Sequence, residues 1–312
     1  MKILITGIHG FVGSNLVAAL KEKHIIYGVD IVSPIKEGVS NTFSWDDLDA
    51  GQVPDVDAII HLAGKAHDTK NQAAAEVYFK VNTGLTQKIY DYFLRSSARK
   101  FIFFSTAKAA ADKVEGVLTE DVVPAPVGPY GESKIKAEEY ILAHPDPEKQ
   151  VYILRPCMIH GPGNKGNLNL LYSVVKKGIP WPLGAFENRR TFTSIDNLSF
   201  VISGLLDKDV PSGIYNMGDD DALSTNELIQ VICESLGKKA RIWKLPKGLM
   251  NGVARVGGWL HLPLDSERLR KLTENYISSN AKIKKALGVE RMPVEAREGL
   301  RRTLASFAGK RD

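Results

Sequence analysis

The sequence is poor in cysteine, and this absence excludes two classes of protein. Only two cysteines occur in 312 residues, Cys157 and Cys233, and neither lies in a CxxC or other metal-ligand spacing. A disulfide-stabilised scaffold is therefore excluded, and a reducing cytoplasm is the expected compartment. The seven histidines are scattered without ligand spacing, so we expect no metal site.

Long hydrophobic segments are also missing. The nearest stretch, Leu249 to Leu264, is interrupted by Asn251, Arg255 and paired glycines, whereas a membrane-spanning helix needs about 20 mostly apolar residues. The first residues, MKILITG, lack the charged region and apolar run of a signal peptide. We therefore expect a cytoplasmic protein with no membrane insertion.

Basic residues do not form a dense run, although the formal net charge is +5. We therefore expect no nucleic-acid partner. The fractions of hydrophobic residues, 44%, and charged residues, 25%, are ordinary for a globular protein.

Short β-branched or aromatic runs alternate with helix-period segments over the first half of the chain. Nearly continuous apolar strands separated by helices predict an α/β fold with a doubly wound parallel Rossmann sheet. The predicted strands are Lys2–Ile5, Ile25–Asp30, Ala58–Leu62, Lys100–Phe104 and Val151–Arg155, and the predicted helices are Gly13–Lys21, Thr83–Arg95 and Glu132–Ala143.

The pattern changes after Gly166, where proline and glycine become denser. Ser224 to Glu227 form a capping box before Leu228–Leu236, and Ser279 or Asn280 can cap Ala281–Leu287. We predict a Rossmann domain over residues 1–166, to which about 191–217 return. A smaller mixed α/β substrate domain is predicted over 167–312.

The first strand runs into a glycine-rich turn, Thr6-Gly7-Ile-His-Gly10-Phe-Val-Gly13. Gly7 permits the tight turn, Gly10 lets the backbone approach a pyrophosphate, and Gly13 lets the helix pack on the strand. The diphosphate is expected at the helix amino terminus, next to Phe11 and Val12. The motif therefore predicts a dinucleotide site, although its spacing is GxxGxxG rather than GxGxxG.

Asp30 follows the second strand, where an acidic residue accepts hydrogen bonds from the adenosine ribose of a dinucleotide. A carboxylate there repels a 2′-phosphate, so NAD is predicted over NADP. Asp46 or Asp47 is expected at the adenine edge, and the sequence does not choose between them.

Tyr130 and Lys134 lie four residues apart in a segment with a helical pattern. This spacing places both side chains on one helical face. A nearby cation lowers the pKa of a tyrosine, so we expect Tyr130 to exchange protons near neutral pH.

These motifs occur in a series that runs through nearly the whole chain: TGIHGFVG, HLAG at His61–Gly64, VNTG at Val81–Gly84, FFSTA at Phe103–Ala107, YGESK, LRPCMIHGPGN at Leu154–Asn164, RRTFTSIDN at Arg189–Asn197 and YNMGD at Tyr215–Asp219. The sequence resembles the extended short-chain dehydrogenase/reductases. It is similar to the branch that includes nucleotide-sugar 4-epimerases, 4,6-dehydratases and 4-ketoreductases.

The resemblance implies roles for individual residues. Thr106 would hydrogen-bond the reacting oxygen of the substrate, with Tyr130 as acid and base and Lys134 orienting it. The residues implied to line the cofactor are Leu62, Ala63, Gly64, Asn82, Ser105 and Pro156. Asn167, Leu168 and Arg190 would bind the diphosphate of a nucleotide sugar, with Met158 beside them, whereas Arg189 is expected to be a solvated charge.

The resemblance also implies a homodimer formed through two helices of the cofactor domain. The apolar positions Leu85, Ile89 and Phe93 in the helix around Gly84–Leu94 are compatible with such a contact, and equally with burial inside one chain.

Three departures from the family pattern bear on the reaction. Ala107 and Lys108 replace the acid pair that dehydratases carry after the catalytic hydroxyl, which disfavours dehydration. Met158 replaces the asparagine of the LRxxN stretch, which removes one polar contact to the substrate phosphates, and the LRPxxxxGP pattern around it is also seen among 4-ketoreductases. Ala109-Ala-Ala-Asp112 replaces the usual VYG, so the loop facing the sugar is unusual.

The resemblance leaves several reactions open. Because Asp30 disfavours exchangeable NADPH, we favour a UDP-hexose 4-epimerase of polysaccharide biosynthesis over a reductase of nucleotide-4-keto-sugars. A 4,6-dehydratase and a non-catalytic dinucleotide sensor are the less favoured alternatives, the sensor because Thr106, Tyr130 and Lys134 are all retained.

Overall fold

A computed structural model describes residues 1–65, 74–164, 166–259 and 265–308 of the chain. Strands, numbered along the chain, are β1 (Lys2–Thr6), β2 (Ile25–Val29), β3 (Asn41–Phe43), β4 (Ala58–His61), β5 (Lys100–Phe104), β6 (Val117–Leu118), β7 (Gln150–Pro156), β8 (Met158–His160), β9 (Phe192–Ser194), β10 (Gly213–Met217) and β11 (Ile277–Ser278).

Helices surround these strands, and a π-helical turn, Phe79–Gly84, joins two of them. They are α1 (Phe11–Leu20), α2 (Trp45–Asp49), α3 (Ala75–Tyr78), α4 (Leu85–Arg95), α5 (Ala107–Ala110), α6 (Pro129–Ala143), α7 (Asn167–Lys176), α8 (Ile195–Asp207), α9 (Thr225–Ser235), α10 (Lys247–Trp259), α11 (Ser266–Thr273), α12 (Ala281–Leu287) and α13 (Ala296–Ala308).

The main sheet has seven strands in the order β10-β7-β5-β4-β1-β2-β3, and every pairing is parallel. The strand order reverses direction at β1, because the chain moves outward to β2 and β3 and then returns to β4 on the other side. Ligands of such sheets bind at the carboxyl ends of the strands flanking this switch point. Here Thr6 of β1 pairs with His61 of β4 at that end. The predicted doubly wound Rossmann sheet is confirmed.

Alternate residues of the strands enter two cores, one on each face of the sheet. Ile3 and Ile5 of β1 pack with α1, α8 and α12, whereas Leu4 packs with α4 and α6. Of the positions considered for a dimer contact, Ile89 and Phe93 are fully buried in the sheet core that contains α4 and α6. Their apolar spacing is therefore accounted for within one chain.

A separate core, called the second core below to distinguish it from the two cores on the sheet, lies between α7, α9, α10, α11 and α13. The capping box predicted at Ser224 is present at the start of α9. Helix α12 differs from the expected division, because Ile283 and Leu287 are buried against the sheet rather than in the second core. The predicted boundary placed this helix in the substrate domain.

The ends of the five predicted strands agree with the structure to within one residue, but two strands of the sheet, β3 with only three residues and β10, were not predicted. Helix α4 begins at Leu85 rather than Thr83, since the π-helical turn occupies the preceding positions. Within the described ranges, no helix is both long and apolar enough to cross a bilayer.

Candidate active site

The glycine-rich turn closely contacts β4 and the start of α1. Gly7 has φ +69°, and a Cβ added there would lie 2.9 Å from the Ala63 amide nitrogen. A Cβ on Gly13 would lie 2.6 Å from the Gly7 carbonyl oxygen. Both positions therefore exclude larger residues, so the chain passes from β1 to α1 only in this tight form.

The amino terminus of α1 is suited to a diphosphate. Gly10 caps the helix without a side-chain hydrogen bond, and the first turn carries no acidic residue. First-turn N–H groups, beginning at Phe11 and Val12, thus keep the partial positive charge that binds phosphate oxygens. These features fit the pyrophosphate of a dinucleotide cofactor.

Asp30 lies directly after β2 and is tied to the glycine-rich turn. Its Oδ2 accepts a hydrogen bond from the His9 amide at 2.9 Å, and its Oδ1 accepts one from the Ile31 amide at 2.8 Å. Lys36, which the sequence analysis did not consider, donates to Ser14 Oγ at 2.7 Å and to the Ile8 carbonyl at 3.2 Å. Burial lowers the pKa of Lys36, and the charge of Asp30 opposes that shift. A cation therefore lies beside the carboxylate expected to bind the ribose.

Asp47, one of the two adenine candidates, has a structural role in α2. Asp47 completes the capping box of α2 by accepting from the Ser44 amide at 2.7 Å. The predicted contact with adenine therefore stays a prediction for Asp46 and Asp47.

Thr106 and Tyr130 meet at the carboxyl end of the sheet. Thr106 follows β5 and caps α5, its Oγ1 accepting from the Lys108 amide at 3.3 Å, and its side chain also hydrogen-bonds that of Tyr130. Tyr130 is held at the start of α6 by Gly128, with φ +86°, and by Pro129 in the first helical turn. The two hydroxyl groups can therefore contact one substrate oxygen together.

Lys134 lies one turn further along α6 and is buried. Its Nζ donates to the Phe104 carbonyl at 2.8 Å and lies 4.9 Å from the centre of the Phe103 ring. Burial lowers the pKa of Lys134 to about 8, and the charge of Glu138 opposes the shift. A Cβ on Gly64 would lie 3.2 Å from the Lys134 Nζ and 2.9 Å from Asn82 Oδ1. The three residues therefore line one narrow space.

The expected lowering of the tyrosine pKa is not found in the chain alone. Burial raises the pKa of Tyr130, and the hydrogen bond from Thr106 only partly opposes it. The expectation considered the charge of Lys134 but not desolvation, which disfavours a phenolate.

Glu138 and Arg155, which the sequence analysis did not assign, support this site from below. The Arg155 guanidinium donates to Glu138 through Nε at 3.0 Å and Nη2 at 2.6 Å, and both side chains are fully buried. Ser105 Oγ donates to the same carboxylate, so this predicted cofactor residue is bound within the protein. The four-residue spacing from Lys134 to Glu138 was the available sequence signal.

The other residues predicted to line the cofactor surround the same strand ends. Asn82 is buried in the π-helical turn, where its Nδ2 donates to Ser133 Oγ at 2.9 Å and its Oδ1 accepts from the Lys65 amide at 2.7 Å. Leu62 and Ala63 continue from β4, and the Ala63 amide donates to Thr6 Oγ1 at 3.1 Å. Pro156 ends β7 and is buried.

The residues predicted to bind substrate are less uniform in environment. Met158 is 37% exposed on β8, and Asn167 is exposed at the start of α7. Leu168 is buried in the second core, so its side chain is not free for a ligand. Arg190 donates to the Lys271 carbonyl and is half-buried, and this burial lowers its pKa. Arg189 is exposed as expected, although it pairs with Glu227 at 3.1 Å.

The segment after Thr106, expected to be a loop, forms helix α5 (Ala107–Ala110), and it takes part in an ion-paired cluster. Lys108 Nζ lies 2.8 Å from Asp112 Oδ1 and 4.9 Å from the centre of the Tyr276 ring. Arg270 lies 3.5 Å from the other oxygen of Asp112. Burial tends to raise the pKa of Asp112, but its bonds and charge interactions with Lys108 and Arg270 lower it overall.

Comparisons with known proteins agree with this geometry. Residues 3–218 match the model of the NAD dependent epimerase/dehydratase family. The chain is 33% identical over 268 residues to a UDP-glucose 4-epimerase of Vibrio cholerae, covering 78% of each protein. It is 27% identical over 241 residues to a GDP-6-deoxy-D-talose 4-dehydrogenase of Aggregatibacter actinomycetemcomitans, covering 75% of this chain and 80% of the relative.

Among solved structures, the fold is similar to that of a UDP-glucuronic acid 4-epimerase from Bacillus cereus in complex with NAD. The TM-score is 0.75, the sequences are 22% identical, and 99% of each chain is covered. The family match confirms the resemblance drawn from the motifs and the prediction of an enzyme that uses NAD. The chain belongs to the NAD dependent epimerase/dehydratase family.

Proposed function

We propose that the protein is a nucleotide-sugar 4-epimerase of the UDP-hexose type that acts through a transient 4-keto sugar. The observation that carries the proposal is the hydrogen bond between the side chains of Thr106 and Tyr130, beside Lys134 and the space lined by Gly64 and Asn82. Paired hydroxyl groups at that place suit a substrate hydroxyl whose carbon is oxidised and then reduced.

The side chains have separate tasks in this proposal. Bound NAD supplies the acceptor and donor of hydride. Tyr130 removes the proton of the C4 hydroxyl and later returns one to the C4 oxygen, while Thr106 hydrogen-bonds that oxygen. Lys134 stays largely protonated at neutral pH, since its pKa is about 8, and its charge stabilises the tyrosinate.

Dehydration is disfavoured by the cluster around Lys108. The elimination of water requires a group that can donate a proton to the leaving hydroxyl. Ala107 and Lys108 occupy the two positions of the dehydratase acid pair, and the nearby Asp112 is held ionised by Lys108 and Arg270. This cluster therefore offers no protonated carboxyl group as the required acid.

The substrate proposal is a nucleoside-diphosphate sugar, with UDP as the nucleotide. Arg190 offers a guanidinium, which binds phosphate oxygens in pairs, and the exposed Asn167 begins α7. Met158 lies beside this region, and Leu168 is proposed to contribute its backbone, because its side chain is buried. Two relatives of the chain are a UDP-glucose 4-epimerase and a GDP-6-deoxy-D-talose 4-dehydrogenase, which supports this class. We further propose that the enzyme is cytoplasmic, that it forms a homodimer, and that it serves polysaccharide biosynthesis.

A second candidate is an NAD(P)H-dependent reductase of a nucleotide-4-keto-sugar. The LRPxxxxGP pattern at Leu154–Pro162 favours it, because this pattern is also seen among 4-ketoreductases, and Met158 within it is exposed on β8. One relative is named as a 4-dehydrogenase, which also performs redox chemistry at a single carbon.

One experiment separates the two candidates. The purified protein is incubated with UDP- and dTDP-hexoses without added cofactor, and the sugar protons are followed by NMR. A new C4 epimer that reaches equilibrium supports the epimerase. No conversion of hexoses, together with consumption of NADH or NADPH when a 4-keto sugar is supplied, supports the reductase.

A further inference from the structure

The segment 235–259 contains no acidic residue but six basic ones. These residues are Lys238, Lys239, Arg241, Lys244, Lys247 and Arg255, and all six are exposed. Because the net formal charge of the whole chain is +5 and these residues contribute +6, the rest of the chain carries a net charge of −1. None of the six forms an ion pair with a carboxylate within the part of the chain that the structure describes. The net positive charge of the protein is therefore concentrated in these residues, which we call the basic segment.

Helix α10 adds an exposed apolar ridge to the basic segment. Leu249, Val253 and Val256 follow the i, i+4, i+7 spacing of one helical face and are 55%, 45% and 53% exposed. The neighbouring face of the helix, with Met250 and Ala254, is buried in the second core. One apolar face of the helix therefore packs in the core, and a second apolar face is exposed to solvent.

Two exposed tryptophans lie close to this ridge in the sequence, one at the end of α10 and one shortly before its start. Trp259 ends α10 and is 80% exposed, and Trp243 is 55% exposed. The backbone of Trp243 is fixed by hydrogen bonds with Trp181 and Gly184, while its neighbour Ile242 packs against the second core. Because side chains alternate along an extended segment, Trp243 points away from that core.

We propose that the basic segment and the ridge of α10 dock on an anionic lipid surface without crossing the bilayer. Exposed cations beside an apolar helical face with indole rings suit the headgroup region, where lysine and arginine meet lipid phosphates. Four of the six cations are lysines, which are depleted at protein–protein interfaces. Charge and composition therefore favour lipid over a second copy of the chain.

The proposal is tested by flotation with vesicles of phosphatidylglycerol and phosphatidylcholine, compared with vesicles of phosphatidylcholine alone. We expect the protein to float with the anionic vesicles, less so at high salt, and not with the neutral ones. The variant Lys244→Gln/Lys247→Gln/Arg255→Gln should lower the partition coefficient about a hundredfold, since each cation near an anionic surface contributes about fivefold.

A second variant tests the apolar ridge. Leu249→Ser/Val253→Ser/Val256→Ser should also abolish flotation, whereas Val117→Ser/Val123→Ser/Val127→Ser, at exposed valines elsewhere, should not. Lys23→Gln/Lys113→Gln/Lys285→Gln is the matched control for charge. The emission of Trp243 and Trp259 should shift to shorter wavelength with anionic vesicles, and the Trp243→Phe/Trp259→Phe variant should lose that shift.

Three results would overturn the proposal. These are no flotation of the wild type, flotation unchanged in both test variants, and a wild-type dimer that the ridge variant converts to a monomer. The proposal does not rest on the proposed reaction. Turnover of a nucleotide sugar in solution should be the same in both variants and the wild type, so failure of either idea is recognised separately.

Discussion

Glu138 lies one helical turn beyond Lys134 on α6 and forms a fully buried ion pair with Arg155, with 2.6 Å between Oε2 and Nη2. The carboxylate also accepts a hydrogen bond from Ser105, the residue before Thr106. It thereby connects α6, which carries Tyr130 and Lys134, with β5 and β7 beneath it. Its charge opposes the lowering of the Lys134 pKa that burial causes.

Replacing Glu138 with glutamine should destabilise the fold and lower the pKa of Lys134 further. The Arg155 guanidinium would remain buried without a counter-charge, and losing one partner of such a pair costs about 3–5 kcal/mol. Urea unfolding measures the free-energy change, and the pH profile of kcat measures the shift of Lys134.

The double variant Glu138→Met/Arg155→Met serves as the control, because paired apolar replacements of a buried ion pair are often neutral in stability. Glu37→Gln removes an exposed partner of Lys21 and should leave the unfolding midpoint unchanged. A Glu138→Gln protein as stable as the wild type, with the same pH profile, would exclude the positioning role.

Replacing Tyr130 with phenylalanine should lower kcat by about 10²- to 10⁴-fold, the usual contribution of a positioned acid–base group. The ring itself still fits, so NAD affinity should change little. Turnover is measured by NMR and NAD binding by calorimetry. Tyr140→Phe, on the same helix, is a matched control, because its hydroxyl bonds Asp91 far from Thr106. Full activity of Tyr130→Phe would mean that another group transfers the proton.

The sequence was sufficient to predict those features that depend on local spacing. The apolar runs predicted five strands of the sheet, since a parallel strand is buried on both faces. The glycine spacing predicted the turn at Gly7, where the positive φ and the contact with Ala63 leave no room for a side chain. Tyr130 and Lys134 are brought together by the helix itself.

Features that depend on tertiary neighbours were not predictable in this way. The position of Lys36 beside Ser14 follows from the path of a loop, and the burial of Ile283 follows from packing on the sheet. The raised pKa of Tyr130 depends on desolvation by groups distant in sequence. The basic segment was overlooked because its cations are spread out, and its character lies in the lack of acidic residues.

The depressed pKa of Lys134 should make stability depend on pH between about 8 and 10. In this window the unfolded chain, with a lysine pKa near 10.5, binds a proton that the folded chain has released. Stability therefore rises with pH for this group. The gain from pH 8 to pH 10 should be about 2 kcal/mol, since one pKa unit corresponds to about 1.4 kcal/mol.

The variant Lys134→Met removes this titration with little change in volume. Urea unfolding of both proteins at several pH values should give curves that diverge above pH 8, the wild type gaining relative to the variant. Curves that stay parallel would show that Lys134 titrates at its ordinary pKa in the folded protein.

Replacing Asp30 with alanine should shift cofactor selectivity towards NADP. The carboxylate repels a 2′-phosphate, and its removal leaves Lys36, held 2.7 Å from Ser14 Oγ, as the charged neighbour of the ribose site. We expect the ratio of NAD to NADP affinity to fall about tenfold or more, because juxtaposed like charges cost at least that much. Calorimetric titration with both dinucleotides gives the ratio.

Asp30→Ala/Lys36→Gln should lose part of the gain for NADP, and Asp121→Ala, at an exposed loop position, should change nothing. An unchanged ratio in Asp30→Ala would exclude this carboxylate from the ribose site, whatever the reaction catalysed.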